Sequence, residues 1–287
     1  MSDYHEVGRR SHSQFRGVVM KLLPNLLITS LLTFLSFETA AQQATTSPST
    51  SANQPPQRDQ QALTILNQAL AAMASSVPAD SSATGTVTIV EGSSTQNGTI
   101  QILTRGTAQT AETITSSAGQ RAIIYSKDDA KEVGAGQSVN APLELIVTDQ
   151  SPDFPLPLLL SVLNNVDEAI RYIGQEVLNG ESAQHIQVWN TFASKPRLRE
   201  LAPFSTKDIW FDSASGLPLK IAYIRQAGQG AVASFRVEVF FSNYNNVGGV
   251  LYPFQINKSY NGTPWQTITI QSVSFNTGLT DAQFQVE

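Results

Sequence analysis

The segment YPFQINKSYNGTPWQTITIQSVSF, Tyr252–Phe275, predicts two antiparallel strands joined by a tight turn. Asn261-Gly262 is a dipeptide that two-residue hairpin turns favour, because both positions take positive φ angles. β-Branched and aromatic residues on either side alternate with polar ones, as in strands with one buried face. Pro253 is the exception, since proline cannot donate a hydrogen bond to a neighbouring strand. We therefore expect Pro253 to lie at a sheet edge or a β-bulge.

Similar turn signals recur along the chain and predict an antiparallel meander. Asn97-Gly98 lies within an apolar, β-branched stretch, and Asn179-Gly180 separates two further strand patterns. Small and polar residues at 212–216 and 227–231 supply two more short turns. Strands do not alternate regularly with helices, which disfavours a parallel sheet. A sheet of roughly ten strands linked in this way tends to curl.

Two segments carry helical patterns instead. In the first, apolar side chains recur every three or four residues from Leu63 to Met73, Asp59 can cap the helix, and Pro78 ends the pattern. The second, from about Pro157 to Asn164, is apolar on nearly all sides and needs cover. The predicted fold class is mainly β with α (α+β), with both helices in the concavity of the curled sheet. A closed barrel would leave the helices without a buried place.

The first 60 residues predict export. Lys21, a mostly apolar core over residues 22–37 and small residues up to Ala41 have the layout of a cleaved signal peptide. The core is shorter than the roughly 20 apolar residues of a spanning helix, which favours cleavage near Ala41 over an uncleaved anchor. The true start is open between residues 1 and 20. Residues 42–60, rich in Gln, Ser, Thr and Pro, predict a disordered linker, and residues 61–287 predict a single β domain.

Composition excludes several classes of function. The chain has no cysteine, so it has no disulfide and no cysteine for lipid attachment. Its net charge is −5 at pH 7, and the absence of a basic stripe argues against nucleic acid and anionic membrane surfaces. We expect a monomer with no stable membrane insertion after signal cleavage, no cofactor and no metal.

Catalytic residues are scarce. His185 is the one histidine after residue 41, and its place beside Gln187 in a strand predicts a solvent-facing side chain. No G-x-S-x-G motif is present to supply a serine nucleophile. A carboxylate-based hydrolase stays open, because Glu144, Glu176 and Glu238 lie in predicted strands, although the sequence does not say which of them meet.

The two predicted helices carry more apolar side chains than they need to cover one face of the sheet. Ordinary core packing is one explanation, and a hydrophobic cavity between the helices and the curled sheet is the other. The candidate cavity residues are Leu63, Leu66, Leu70, Met73, Leu158, Leu159, Leu160 and Leu163.

In the order of these elements the chain resembles the LolA-like fold group, which comprises periplasmic lipoprotein-sorting carriers, their outer-membrane acceptors and related lipid-binding proteins. The resemblance runs from Asp59 to Phe284. It rests on the helix ALTILNQALAAM, the mid-chain helix SPDFPLPLLLSVL, the strand pair YIGQEVLNGESAQHIQVW and the ending ITIQSVSFNTGLTDAQF. The sorting carriers place an arginine after a Trp- and Pro-containing strand, and neither Arg105 nor Arg121 matches that position.

The resemblance implies an unclosed β-barrel with helices on its concave face and an apolar cavity for acyl chains, in a protein without catalytic residues. The expected function is that of an exported, periplasmic binding or carrier protein, and its partner is the acyl chain of a lipid or a lipidated protein. Two alternatives stay open. One is a non-catalytic structural or interaction module of the cell envelope with a filled core, and the other is the carboxylate-based hydrolase.

Overall fold

The computed structural model describes residues 56–126, 129–134, 137–141, 147, 153–226 and 234–285. Two α-helices lie in these ranges, α1 at Gln60–Met73 and α2 at Pro155–Asn164, together with two 3₁₀ turns at Pro196–Ser205 and Asp281–Phe284. The strands are β1 Asp80–Glu91, β2 Ser94–Arg105, β3 Gln109–Ser116, β4 Gly119–Ser126, β5 Asp129–Gly134, β6 Gln137–Asn140, β7 Glu168–Leu178, β8 Glu181–Asn190, β9 Lys207–Asp212, β10 Pro218–Gln226, β11 Ser234–Val247, β12 Val250–Tyr260 and β13 Thr263–Phe275.

All thirteen described strands form one antiparallel sheet. Its order is β6-β5-β4-β3-β2-β1-β13-β12-β11-β10-β9-β8-β7. Each half of the chain is thus a meander, and the two meanders join where the first strand pairs with the last, from Ser81 opposite Phe275 to Ile89 opposite Gln266. Strands β6 and β7 stand at the two ends of this order without pairing to each other. The predicted α+β class with a curled, unclosed antiparallel sheet is confirmed.

Most of the predicted turns form where the sequence places them. Asn179 and Gly180 have φ angles of 53° and 89°, and Asn261 and Gly262 have 49° and 79°. The turn after β9 closes through a 2.8 Å hydrogen bond from the Gly216 N–H to the Asp212 carbonyl oxygen. The predicted turn at residues 227–231 lies outside the described residues.

The turn predicted at Asn97-Gly98 is wrong. Both residues lie inside β2, where Asn97 pairs with Thr88 and Gly98 with Val87. The chain reverses earlier, beside Gly92 with its φ of 62°. Gly98 is explained by packing, because a Cβ at this position would lie 2.5 Å from the Thr115 carbonyl oxygen on β3.

Pro253 lies in a part of β12 that pairs with β11 but not with β13. Strand β12 pairs with β11 on one side, where Pro253 stands opposite Tyr244. On its other side the pairing with β13 begins only at Gln255, opposite Thr269. Pro253 is therefore paired on one side only, and its predicted place at a local sheet edge is confirmed.

The buried core lies on the concave face, under the two helices. Residues of α1 and α2 and the inward side chains of both meanders form one cluster, whose largest fully buried members include Leu66, Met73 and Tyr252. Phe154, just before α2, stacks on Tyr252 with ring centroids 4.4 Å apart. Both predicted helices therefore form and lie on the sheet's concave face.

The segment before α1 is ordered against the sheet. The Asp59 carboxylate caps α1 by accepting bonds of 2.8 and 3.0 Å from the N–H groups of Gln61 and Ala62. The Arg58 guanidinium donates to the last carbonyl oxygens of α2, at 3.0 Å for Val162. The predicted linker over residues 42–60 overlaps this ordered segment, and its remaining residues lie outside the described ranges.

The predicted signal peptide, residues 1–41 with its cleavage point near Ala41, also lies outside the described residues. In the part of the chain that the structure describes, no helix has the length and apolar character needed to cross a membrane.

Candidate functional site

A cavity of about 470 Å³, here called the sheet cavity, opens on the concave face. Strands β1 and β3 to β6 bound it on one side, and strands β10 to β13 bound it on the other. Its described lining residues are Ile89, Glu112, Ile114, Arg121, Ala122, Ile123, Tyr125, Glu132, Val133, Gly134, Val139, Tyr223, Arg225, Val237, Lys258, Tyr260 and Trp265. It adjoins the core, since Ile89, Ile114 and Val237 belong to both.

The walls of the sheet cavity are apolar and aromatic. Inward positions on each strand alternate with outward ones, so Ile256, Lys258 and Tyr260 of β12 face the same side. The Tyr260 and Trp265 rings stack with centroids 4.6 Å apart. This pairing across the Asn261-Gly262 turn places a continuous aromatic surface beside the aliphatic wall.

Three ionisable side chains form what is here called the floor of the sheet cavity: Glu112 and Lys258 line the cavity, and Asp153 contacts Lys258. The Lys258 Nζ lies 3.1 Å from Oε2 of Glu112 and 2.7 Å from Oδ1 of Asp153. Gln266 donates from Nε2 to Glu112 Oε1 at 3.3 Å. Asp153 and Gln266 are buried, with 0% and 2% of their surface exposed. The floor is therefore a buried polar cluster beside the apolar walls.

The two floor carboxyl groups have opposite pKa shifts. Burial opposes ionisation of Glu112, but the Lys258 ammonium and hydrogen bonds from Asp153, Lys258 and Gln266 outweigh it and lower its pKa to about 2. Burial raises the pKa of Asp153 well above its ordinary value, and the Glu112 charge adds to burial. Of the two carboxyl groups, Glu112 is therefore the one that ionises more readily.

Ion pairs frame the opening of the cavity. The Arg225 guanidinium lies 2.9 Å from the Glu132 carboxylate, which joins β10 to β5, two strands that are not neighbours in the sheet. Arg225 also donates to the Tyr260 hydroxyl at 3.3 Å. Arg121 of β4 lies 2.9 Å from the Glu91 carboxylate of β1.

A second cavity of about 330 Å³, here called the helix cavity, lies against α2. Its described lining residues are Val77, Pro78, Ala79, Asp80, Thr104, Gly106, Thr107, Phe154, Leu156, Pro157, Leu160 and Asn164. The Asp80 carboxylate in this wall accepts bonds from the N–H groups of Thr277, Gly278 and Leu279. Those bonds overcome the effect of burial and lower its pKa.

Comparison with solved structures gives the fold its name. The structure matches a LolA superfamily protein from Nitrosomonas europaea with a TM-score of 0.54 and 13% identity, over 78% of this chain and 97% of that one. It matches a putative outer membrane lipoprotein-sorting protein domain from Vibrio parahaemolyticus with a TM-score of 0.54 and 14% identity, over 78% and 96%. The chain has a LolA-like fold.

A DUF1329 family protein from Desulfovibrio piger shares the LolA-like fold, with a TM-score of 0.52 and 13% identity over 78% of this chain and 97% of that one. No family model and no curated protein matches the sequence. At these identities the likeness concerns the fold, and the chemistry of the site depends on this chain's own residues.

The eight apolar side chains predicted to line a cavity lie in or against the core. Leu66, Met73 and Leu159 are fully buried, with 0% exposed. The other five are half-buried and pack against the same core: Leu63, Leu70, Leu158, Leu160 and Leu163. Leu160 also lines the helix cavity, whereas none of the eight is among the described residues lining the sheet cavity. Their role as ligand contacts stays a prediction.

The predicted solvent-facing position of His185 is wrong. The residue is 8% exposed, and its ring stacks on Trp210 with centroids 4.2 Å apart. Its Nδ1 lies 2.7 Å from Glu176 and its Nε2 lies 3.0 Å from Asp208. Glu176 follows a register shift in β7 next to Gly174. Burial lowers the pKa of His185, but the hydrogen bonds and charges of Asp208 and Glu176 outweigh it and raise the pKa.

Two of the three carboxylates considered for a hydrolase, Glu176 and Glu238, are not among the described residues that line the sheet cavity. Glu176 belongs to the His185 cluster, and Glu238 lies 2.5 Å from the Lys220 ammonium. Both lie on the convex face, opposite the core. Glu144 lies outside the described residues. Among the described residues, no group of three histidine, aspartate or glutamate side chains is arranged to hold a metal ion.

Proposed function

We propose that this chain is an exported, non-catalytic binding or carrier protein that holds the acyl chain of a lipid or lipidated protein in the sheet cavity. The observation that carries the proposal is the cavity itself, about 470 Å³ with apolar and aromatic walls on the concave face. Its volume falls within the roughly 300–1,000 Å³ typical of small-ligand pockets, which are concave and mostly apolar.

The walls supply affinity without polar recognition. Each methylene group removed from water contributes about 0.8 kcal/mol. A chain lying between Ile89, Ile114 and Val237 replaces water against aliphatic surface, and the stacked Tyr260 and Trp265 rings offer it a flat contact. An acyl chain is the ligand class that gains most from such walls.

The fold and the predicted export both favour this function. Two solved structures with the same fold are described as a LolA superfamily protein and a lipoprotein-sorting domain. The predicted signal peptide would take the chain to the periplasm or an equivalent compartment, where lipids and lipoproteins cross an aqueous space. No role for a catalytic group is needed, and both ring nitrogens of His185 already contact carboxylates.

Quenching by a brominated acyl chain tests the proposal directly. The chain has three tryptophans, and Trp265 alone among them lines the sheet cavity. A dibromo-stearoyl lipid titrated below its micelle concentration is expected to quench the fluorescence of the wild-type protein with saturation. The Trp265→Phe variant is expected to lose that quenching, whereas a Trp189→Phe variant keeps it.

Two results would contradict the proposal. One is quenching that never saturates, which indicates non-specific adsorption, and the other is quenching that survives in Trp265→Phe. Native mass spectrometry of protein purified from its own host provides an independent measurement, because a carrier is expected to retain an acyl lipid.

A structural module with a filled core is the second candidate. The complete burial of Leu66, Met73 and Leu159 under the helices favours it for that part of the fold. Such a module would give no saturable quenching and no co-purifying lipid, so the same two measurements separate the candidates.

A further inference from the structure

Each cation among the described residues that line the sheet cavity has a carboxylate partner. Three cations, Arg121, Arg225 and Lys258, are among the described lining residues. At the opening, Arg121 has the Glu91 carboxylate at 2.9 Å, and Arg225 has the Glu132 carboxylate at the same distance. Each guanidinium at the opening is thus already matched by one carboxylate.

The floor is balanced in the same way. Lys258 lies between Glu112 and Asp153, at 3.1 and 2.7 Å, and the side chains of Lys258 and Glu112 are only 10% and 9% exposed. With Asp153 protonated the floor has no net charge, and with Asp153 ionised its net charge is −1. In neither state does the floor offer a surplus positive charge to a ligand.

An anionic head group would therefore enter a site that has no spare cation for it among the described lining residues. Moving an unpaired charge out of water into a poorly solvated cavity is strongly unfavourable. A hydroxyl or ester group loses less hydration and can still exchange hydrogen bonds with ammonium, carboxylate and guanidinium groups. We infer that the sheet cavity selects neutral amphiphiles with a hydroxyl or ester head over fatty-acid anions of the same chain length.

This inference rests on the proposed function and narrows its ligand class. The test compares monopalmitoylglycerol with palmitate at pH 8, each below its micelle concentration, by calorimetric titration of the full domain. The two probes share a 16-carbon acyl chain and differ in head-group charge. The neutral probe is expected to bind at least about tenfold more tightly, the factor that corresponds to ~1.4 kcal/mol.

Variants at the opening of the cavity test whether the preference for the neutral probe depends on charge or on the shape of the cavity. Glu132→Gln removes the carboxylate beside Arg225, and Glu91→Gln removes the one beside Arg121, each with little change in volume. Both glutamates are exposed, so folding is expected to survive. Each variant is expected to reduce the preference for the neutral probe by about tenfold. Glu181→Gln at the β7–β8 turn makes the same change in net charge outside the cavity and is expected to leave the preference intact.

The outcomes are distinct. Saturable binding of the neutral probe, weaker binding of palmitate and a reduced preference in Glu132→Gln support the inference. Equal or tighter binding of palmitate overturns it and leaves the proposed function standing, as does a preference that Glu132→Gln and Glu91→Gln do not change. Binding of neither probe overturns both.

Discussion

Replacing Lys258 with methionine removes the ammonium group from the floor of the sheet cavity and keeps a side chain of similar length. Glu112 then loses the cation that lies 3.1 Å from its carboxylate. Burial opposes ionisation of Glu112 and is outweighed chiefly by this cation, so that its pKa is about 2 in the folded protein against an ordinary 4.5. In the variant, Glu112 must remain charged without a counterion or take up a proton on folding.

The magnitude follows from that pKa. The difference between about 2 and 4.5 corresponds to ~3 kcal/mol of stabilisation at neutral pH. Breaking a buried ion pair by removing one partner costs a similar ~3–5 kcal/mol. We therefore expect Lys258→Met to lower the free energy of unfolding by ~3 kcal/mol at pH 7, a large part of a typical domain's total.

The pH dependence has a definite sign. Because folding lowers the pKa of Glu112, its contribution is fully present above pH 4.5 and is lost as the pH falls toward 2. The difference between wild type and Lys258→Met should accordingly shrink between these values. Urea unfolding followed by circular dichroism at pH 7, 5 and 3 measures it.

The double variant Glu112→Gln with Lys258→Met is the matched control. It removes both charges of the Glu112–Lys258 pair, so Glu112 no longer leaves a carboxylate without its cation, and the loss is expected to be smaller than that of Lys258→Met alone. A loss below ~1 kcal/mol at pH 7 would place the pair among weak, solvent-screened contacts and refute the reasoning. A loss of equal size at pH 3 and pH 7 would show that packing, and not charge, is responsible.

Four further substitutions test the helices and the convex face. His185→Gln should lower the melting temperature, because folding raises the pKa of His185. The loss is expected to be largest below pH 6.5 and to disappear as the pH rises through the pKa of His185 in the folded protein. A loss that does not change between pH 5.5 and 8.5 would contradict this prediction. Leu159→Ala should lower the free energy of unfolding, measured by chemical denaturation, by ~2–5 kcal/mol. Leu158 is half-buried on the same helix, so Leu158→Ala should lower it clearly less. Equal losses would argue against the difference in burial between the two residues. Asp59→Ala should cost about 1 kcal/mol through the lost cap of α1, and an unchanged unfolding midpoint would mean that the cap contributes nothing.

The antiparallel meanders could be predicted because their signals are local. The positive-φ turns at Asn179-Gly180 and Asn261-Gly262 depend only on their own residues. Asn97-Gly98 is the same dipeptide but lies inside a strand, where Gly98 is needed because the backbone of Thr115 on β3 approaches closely. A dipeptide cannot reveal that, because the register of three strands decides it.

The candidate site was harder to predict because it joins distant parts of the chain. The apolar stripe of α1 and the Leu158–Leu163 cluster are evident in sequence, and both lie in or against the core. The sheet cavity instead needs Glu112 of β3 opposite Lys258 of β12, and only the pairing of β1 with β13 brings them together. One signal was available, since Lys258 shares an inward strand face with Ile256 and Tyr260, an unusual place for a lysine.

The pairing of the first strand with the last has a consequence for how this chain reaches its native state. Ser81 and Phe275 are partners across most of the domain's length, so the contact closes a very long loop, and such non-local contacts slow folding. Until β13 emerges during synthesis, β1 and β12 each present an unpaired edge to other chains. The nascent protein therefore passes through a prolonged stage at which aggregation competes with folding, and a holding chaperone would shorten its exposure.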